Sequence, residues 1–264
     1  MSEFSSNNST TFQSDKETPR KLTGGKWFID AVVFYYSRIR DVVILCIASS
    51  KTRIYVFGDS HSQLFPKQRG LIKISVGPVT LNRAGKMGEC KKLTDLAFSW
   101  PRKLRYLTYP KPSKCATVVI SLGEIDFRVH VAKESIRQSV DPDVIVERLL
   151  DSAVSVVSQV RDLYGSKIIF LAVIPPTDQY LDPGFPTSGR LAHRILWVTY
   201  FNQELDKRLR LRPDFRSRVV DVSSGLTNED GSLNAKFSDG TVHYHRSVEV
   251  KLIRCVREMA NSIT

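Results

Sequence analysis

Short runs of branched apolar residues alternate along this chain with longer stretches of helical period, and the alternation restricts the possible folds more than any other feature. The runs are RIYVF (53–57), LIKISV (71–76), ATVVISL (116–122), KIIFLAVI (167–174) and SRVVDV (217–222). Strands that alternate with helices are typical of crossover units on a parallel sheet. The pattern predicts an α/β fold, a three-layer α/β/α sandwich around a five-stranded parallel sheet of the flavodoxin-like kind.

The segments between these runs carry helix signals. In SVDPDVIVERLLDSAVSVVSQVRDLYG, Asp141 is the predicted N-cap, Pro142 the first helical residue and Gly165 the C-terminal stop. Steps of mostly three and four residues predict one apolar face made of Val144, Ile145, Leu149, Ala153, Val156, Val157, Val160 and Leu163. Two further helices are predicted at about 188–211 and 246–262, whereas no period emerges at 77–115.

Composition divides the chain into a tail and one domain. Residues 1–24 are rich in Ser, Thr and Asn and offer few apolar side chains to offset the entropy of ordering, so they are predicted to be disordered. Residues 25–52 are predicted to be an amphipathic or buried segment packed on the domain, which occupies 53–264.

The window at 26–49 is the most apolar stretch near the N-terminus and raises the question of a membrane segment. Charged residues interrupt it and leave no apolar run long enough to span a bilayer: Asp30, Arg38, Arg40 and Asp41. We therefore predict no transmembrane segment, with interfacial membrane contact as the alternative. A secretory signal pattern is not recognised near the N-terminus, which favours a cytoplasmic protein.

The net charge of +12 and the pI near 9.6 suggest weak, nonspecific binding to polyanions. The densest basic run, KRLRLRPDFRSR at 207–218, carries Leu209, Leu211 and Phe215 between its charges, as the end of an amphipathic helix does. No nucleic-acid-binding motif accompanies the run, so specific nucleic-acid binding is the weaker interpretation.

The four cysteines are far apart in the sequence: Cys46, Cys90, Cys115 and Cys255. They lack the CxxC spacing of zinc sites, and without an export signal we interpret them as reduced, mostly buried thiols. No metal and no cofactor is predicted.

Three polar segments follow strands or precede the last helix in the predicted order. They are GDSHS after the first strand, GEIDFRVH after the third strand, and DGTVHYH before the closing helix. In open parallel sheets, ligand sites form beyond the carboxyl ends of the strands. We therefore expect these three segments, interpreted as loops, to meet at one edge of the sheet.

Ser60 in GDSHS is either a nucleophile or the cap of the helix that follows it. A serine hydroxyl is a weak nucleophile until a base takes its proton, so catalysis requires a histidine within reach. The candidates are His61, His130, His193, His243 and His245. The DGTVHYH segment offers the best base, because Asp239 precedes His243 by four residues and can hold its ring in one tautomer.

The three segments together resemble the SGNH, or GDSL-type, hydrolase superfamily, with GDS as the first block, GEID as the third and an Asp-plus-His block near the end. The resemblance covers residues 53–262 and implies a serine esterase that works through an acyl-enzyme without metal. It implies Ser60 as nucleophile and oxyanion donor, Gly77 in SVGPVT as a second donor with Gly85 as its competitor, His243 as base and Asp239 as its partner.

Two departures from the family pattern leave alternatives open. The third block is normally GxND, whose Asn donates to the oxyanion, and here Ile125 stands in the Asn position. Arg128 and His130, just beyond it, are the candidate replacements, and loss of such a donor typically costs about 10²- to 10³-fold in rate. The last block is normally DxxH, but three residues separate Asp239 from His243, so His245 remains an alternative base.

The same residues also have structural interpretations. Glu124 and Asp126 can contact substrate, cap the next segment or pair with Arg128, and His130 can be an ordinary loop histidine. His243 and His245 alternate as a metal-binding pair would, but no third ligand is evident.

Residues beyond the fourth strand are predicted to lie beside a pocket or on a solvent-exposed face. Thr177, Asp178 and Tyr180 are placed beside a pocket. The basic residues of the next helix are interpreted as a solvated face, with binding of an anionic substrate as the alternative: Arg190, His193 and Arg194.

Two classes of function fit these observations. The first is a serine esterase acting on a small-molecule or glycan ester, with an O-acyl carbohydrate suggested by family analogy and acyl transfer as a variant of the same chemistry. The second is a binding protein that keeps the fold without its catalytic power.

Overall fold

A computed structural model describes residues 53–59, 65, 71–76, 79–98, 116–178 and 185–263. All of them belong to one compact unit, Asp41–Thr264. The predicted tail at 1–24 and the predicted segment at 25–52 lie outside the described residues, and their division from the domain stays a prediction.

A five-stranded parallel sheet forms the centre of the domain and confirms the predicted fold class. Its strands are β1 (Ile54–Gly58), β2 (Leu71–Ser75), β3 (Thr117–Ser121), β4 (Lys167–Leu171) and β5 (Ser217–Val220). Their order across the sheet is β2-β1-β3-β4-β5, and every neighbouring pair is parallel. The order reverses between β1 and β3, and this is where doubly wound sheets place their ligands.

Helices cover both faces of the sheet. They are α1 (Leu81–Ala84), α2 (Glu89–Phe98), α3 (Val131–Gln138), α4 (Pro142–Tyr164), α5 (Leu191–Arg210) and α6 (Glu249–Ser262). Three short 3₁₀ turns join them to the strands at Pro213–Phe215, Ala235–Phe237 and Arg246–Val248.

Alternate strand residues pack into two separate cores. Tyr55 and Ile120 belong to the core beneath α1, α4 and α5, while Val56 and Ile169 belong to the core beneath α6. Because both sides of each strand are buried, the strands carry nearly continuous apolar runs, and this is the signal that made them recognisable in the sequence.

The long helix α4 has the predicted ends. The Asp141 side chain accepts a hydrogen bond from the Asp143 N–H at 2.8 Å, Pro142 begins the helix, and Gly165 closes it at a φ of 57°. The predicted apolar face was wrong at its margins, because Val144 is 41% exposed and Leu163 37% exposed. Val146 and Leu150 are buried on the same side as the predicted core residues.

The segment without a recognisable period contains α1 and α2, which the sequence did not predict. Helix α1 has only four residues and is capped by Thr80, whose side chain accepts from the Arg83 N–H at 3.2 Å. Since Gly85 and the basic residues around it interrupt the pattern after one turn, no apolar stripe develops.

GEIDFRVH is a helix and not the predicted loop. Residues 124–125 are helical, Asp126–His130 form a π-helical turn, and α3 follows directly. A π-helical turn inserts one extra residue per turn and occurs often at functional sites.

The basic run at 207–218 spans the end of α5 as predicted, with Leu209 and Phe215 buried and Leu211 73% exposed. Within this run, Arg208 forms ion pairs with Glu147, Asp151 and Glu204. These acidic side chains neutralise the positive charge of Arg208 within the domain.

Two of the predicted thiols and the membrane question can be checked in the described part of the chain. Cys90 and Cys255 form no disulfide within the described residues, Cys90 Sγ donates to the Ala84 carbonyl at 3.4 Å, and burial raises the pKa of Cys90 to about 12. Cys46 and Cys115 lie outside the described residues. No helix among the described residues is long and apolar enough to cross a membrane.

Candidate active site

The GDS motif begins where β1 packs against β3. A Cβ placed on Gly58 would lie 2.3 Å from the carbonyl oxygen of Ser121, so only glycine fits at the end of β1. Asp59 follows with 1% of its surface exposed, and its N–H bonds the Ser121 carbonyl at 3.4 Å. Ser60 and His61 lie outside the described residues. The structure therefore brings the chain to the carboxyl edge of the sheet one residue before the predicted nucleophile.

Of the two glycines predicted to donate to the oxyanion, Gly85 has its N–H engaged elsewhere. Its N–H donates to the Leu81 carbonyl at 2.8 Å as the C-cap of α1, so it is not available to an oxyanion. The alternative assignment of Gly85 as oxyanion donor was wrong for this reason. Gly77 lies outside the described residues, and its role as donor stays a prediction.

The third block starts at a position that requires glycine. Gly123 has a φ of +112°, and a Cβ there would lie 3.0 Å from side-chain atoms of both Leu81 and Val173. The helix that follows presents Glu124 and Arg128 on one face. Arg128 Nε donates to Glu124 Oε1 at 2.5 Å, and the two side chains are 9% and 11% exposed. The predicted pairing of Glu124 with Arg128 is therefore present.

Arg128 links the third block to the histidine block. Its Nη1 donates to the Pro186 carbonyl at 2.6 Å, and its Cζ lies 5.6 Å from the centroid of the Phe185 ring. The rings of Phe185 and His243 meet edge to face, with centroids 6.1 Å apart. Phe185 is thus held between Arg128 and His243, and the predicted meeting of these two segments is observed.

A small cavity places this group at the carboxyl edge of the sheet. It measures about 20 Å³ and is lined by Glu124 from beyond β3, by residues 173–177 from beyond β4, and by Val242 from the histidine block. This volume is enough for about one water molecule. Glu124 Oε2 is buried and accepts no hydrogen bond from the described residues, so an ordered water here would satisfy it.

Asp239, Thr241 and His243 form one hydrogen-bonded group. Thr241 Oγ1 lies 2.6 Å from Asp239 Oδ1 and 3.0 Å from His243 Nδ1, while Asp239 Oδ2 lies 3.4 Å from the same ring nitrogen. The Asp239 N–H donates to the His243 carbonyl at 3.1 Å and closes the turn between them. The three residues between Asp239 and His243 are therefore compatible with a contact between the two side chains.

Asp239 is ionised at neutral pH. Burial raises its pKa, but the hydrogen bonds from the Thr241 side chain and N–H, with the nearby His243, outweigh burial and leave the pKa below its ordinary value. The carboxylate can therefore stabilise a positive charge on the ring of His243, as the orienting acid of a hydrolase triad does.

His245 has a different position. It is exposed, and its Nδ1 accepts from the Ser247 N–H at 3.2 Å as the N-cap of the 3₁₀ turn Arg246–Val248. The ring of His243 contacts Thr241 and Asp239 instead, so the paired orientation of a metal site is not formed. The described residues contain no group of three or more His, Cys, Asp or Glu side chains arranged to hold a metal ion.

Asp126 and His130 face away from Arg128 into a larger cavity of about 350 Å³. The cavity lies between α1, α3 and the first turns of α4 and is lined by Thr80, Asn82, Asp126, His130, Glu134, Arg137, Gln138, Ile145, Arg148 and Leu149. Burial lowers the pKa of His130, and the nearby Glu134 carboxylate acts in the opposite direction. Of the two predicted replacements for Asn, Arg128 is the one that contacts Phe185, which in turn contacts His243.

Asp126 is buried at 1% exposure and connects this block to the segment that carries Gly77. Its Oδ2 accepts from the Leu81 N–H at 2.8 Å. Burial raises its pKa to about 7, the Leu81 bond acts against the rise, and the Asp59 carboxylate adds to it. The second and third blocks are thus joined through a carboxyl group that is half-protonated near neutral pH.

The titration of Asp126 predicts a loss of stability as the pH rises. An acid with a folded pKa near 7 and an unfolded value near 4 destabilises the fold progressively across that interval, and the loss is complete above about pH 7. Asp126→Asn keeps an acceptor for Leu81 and removes the charge. We expect the variant to gain on the order of a few kcal/mol relative to the native chain between pH 4 and 8.

Urea unfolding of both proteins at pH 4.5, 6 and 8 measures this effect. A difference in unfolding free energy that grows with pH and then levels off is the expected result. A difference that is independent of pH would show that Asp126 is not titrating in this interval.

The predicted solvated face of α5, the helix after β4, was wrong for Arg194. It is 1% exposed, pairs with Asp178 and lines the small cavity with Thr177, so it is not on a solvated face. Thr177 is buried and lines the predicted pocket, whereas Asp178 is 55% exposed and holds Arg194. Tyr180 lies outside the described residues.

Sequence reasoning missed Thr241 and Phe185 as parts of the site. Thr241 belongs to the DGTVHYH segment, and a hydroxyl two residues from both Asp239 and His243 is a signal that could have indicated a contact with both side chains. Phe185 carried no such signal, because its contacts with Arg128 and His243 join residues far apart in the sequence.

The fold of this chain is similar to that of several solved structures. The chain is similar to a GDSL-like lipase from Bacteroides thetaiotaomicron (13% identity, 86% of this chain and 98% of that one, TM-score 0.51). It is also similar to a protein from Bacteroides fragilis assigned as an acylhydrolase (16% identity, 80% and 87%, TM-score 0.51). A third is a protein from Streptococcus pneumonia assigned as a platelet activating factor (15% identity, 89% and 98%, TM-score 0.50).

At these identities the likeness is one of fold. The five-stranded parallel sheet with its helices matches the architecture of GDSL-like hydrolase structures. Neither a protein-family model nor a curated protein matches the sequence.

Proposed function

We propose that this chain is a serine hydrolase of the SGNH type that cleaves an ester through an acyl-enzyme. The observation that supports it most is the hydrogen-bonded Asp239–Thr241–His243 group, whose neighbour Val242 lines the small cavity beyond the carboxyl ends of β3 and β4. The hydrolase fold and the order of the three blocks in the sequence support the same assignment.

In the proposed reaction, Ser60 Oγ attacks the ester carbonyl while His243 Nε2 takes the hydroxyl proton. The carbonyl oxygen becomes an oxyanion that accepts from the Ser60 and Gly77 N–H groups. Collapse of the intermediate breaks the ester bond, and the imidazolium gives its proton to the departing alcohol. Water, activated by the same histidine, then releases the acid and restores Ser60.

Arg128 is the group that we propose in place of the missing Asn. Its Nε is held by Glu124, its Nη1 by the Pro186 carbonyl, and its plane lies near Phe185, which contacts His243. Nη2 donates to no acceptor in the described part of the chain. A guanidinium fixed in this way can donate to a developing negative charge with little reorganisation.

We further propose an O-acyl carbohydrate as the class of substrate, which the resemblance to the hydrolase superfamily suggests. The larger cavity does not bear on this choice, because it opens on the side of the third block that faces away from Arg128.

A fluorophosphonate probe tests the nucleophile. We expect it to label the native chain and not Ser60→Ala, because phosphonylation needs a serine whose proton a base can remove. Ser62→Ala, two residues away in the sequence, is the matched control and should be labelled. Absence of labelling in a native chain shown by circular dichroism to be folded would count against catalysis.

That negative outcome would favour the second candidate, a glycan- or polyanion-binding protein on the hydrolase fold, for which Ile125 in the Asn position is the motivating observation. Acyl transfer uses the same serine and is distinguished by whether an added sugar alcohol becomes acylated. The predicted cytoplasmic location stays part of this proposal.

A further inference from the structure

The hydroxyl of Thr241 lies between the two side chains of the proposed base pair. Its oxygen is 2.6 Å from Asp239 Oδ1 and 3.0 Å from His243 Nδ1, both shorter than the 3.4 Å that separates Asp239 Oδ2 from the same nitrogen. The closest polar atom to Nδ1 within this group is therefore the threonine oxygen and not the carboxylate.

Counting protons determines the direction of these hydrogen bonds. An ionised carboxylate only accepts, so the Thr241 O–H donates to Asp239. A hydroxyl has one proton, so the same oxygen can only accept from the ring of His243. Nδ1 must then carry the hydrogen, and Nε2 is left as the basic nitrogen. The tautomer that a serine hydrolase requires follows from the threonine hydroxyl together with the acid.

We propose that Thr241 is a positioning residue that relays the orienting effect of Asp239 to His243. The inference rests on the proposed function for its catalytic meaning, whereas the tautomer of His243 can be tested without any activity. The role goes beyond the turn that Thr241 also stabilises, because that turn uses the Thr241 N–H, which donates to Asp239 Oδ1 at 2.9 Å.

Two substitutions separate the relay from the turn. Thr241→Val keeps the N–H and the shape of the side chain but removes the hydroxyl, and Thr241→Ser keeps both hydrogen bonds. Thr227→Val is the matched control, since Thr227 lies in the neighbouring loop, where its backbone pairs with Leu233.

The nitrogen chemical shifts of the His243 ring, read by long-range ¹⁵N–¹H correlation near pH 8, report the tautomer directly. We expect the Nδ1–H form in the native chain, in Thr241→Ser and in Thr227→Val, and a mixture with the Nε2–H form in Thr241→Val. A native ring in the Nε2–H form, or an unchanged ring in Thr241→Val, would overturn the relay.

Turnover of an acyl ester gives the second measurement. In Thr241→Val we expect kcat to fall about 3- to 10-fold with KM nearly constant, and the acidic limb of kcat/KM to move to lower pH because the imidazolium loses an acceptor. Thr241→Ser should restore both. Equal losses in the valine and serine variants would assign Thr241 to the turn alone. A native chain with the expected tautomer but no turnover and no probe labelling would instead contradict the proposed function.

Discussion

Replacing His243 by alanine is expected to lower kcat/KM for an acyl ester by about 10³-fold or more, whereas His245→Ala should change it by less than about threefold. The reason is the different position of the two rings. His243 contacts Thr241 and Asp239 at the sheet edge, while Nδ1 of His245 accepts from the Ser247 N–H and caps a 3₁₀ turn. Steady-state kinetics with 4-nitrophenyl acetate measures both effects.

Stability must be followed in the same variants, because His245→Ala removes a cap and is expected to cost about 1 kcal/mol. His193→Ala is a control for loss of an exposed histidine elsewhere, since His193 lies in the first turn of α5. An inactive His245→Ala that remains folded, together with an active His243→Ala, would reassign the base. Equal and small effects in both variants would remove the histidine block from the reaction.

The fold was predictable because its signals are local. Each strand is a short apolar run buried on both sides, and α4 carries Asp141, Pro142 and Gly165 at its ends, so each element could be recognised from its own residues. Helix α1 was missed since four residues do not make an amphipathic stripe. The prediction of a loop for the third block was wrong because the π-helical turn at Asp126–His130 departs from the period of 3.6.

The site was predictable only where its parts are close in sequence. The predicted contact of Asp239 with His243 is present, and their catalytic roles stay predictions. The contact of Glu124 with Arg128 follows from a separation of four residues on a helix. The burial of Arg194 and the position of Phe185 depend on contacts between distant segments. The cavity that Asp126 lines likewise depends on three helices meeting, which no single stretch of sequence encodes.

Arg128→Met is expected to lower kcat by about 10²-fold with little change in KM, if the guanidinium replaces the missing Asn at the oxyanion. The effect is specific to the transition state because the oxygen gains its full charge only there. Methionine fills a similar volume but donates no hydrogen bond. Kinetics on one ester with both kcat and KM resolved measures the loss, and the melting temperature checks the fold.

The control must account for Glu124, since Arg128→Met leaves its carboxyl buried without a cation. Glu124→Gln weakens the same pair but keeps the guanidinium, and the double variant Glu124→Gln with Arg128→Met removes the unpaired charge. If the oxyanion role holds, Glu124→Gln should lose less than about tenfold in kcat, and the double variant should recover stability without recovering rate. A double variant that recovers rate together with stability would mean that Arg128 stabilises the fold and does not act in the reaction. A rise in KM at constant kcat in Arg128→Met would mean that Arg128 binds the substrate in its ground state.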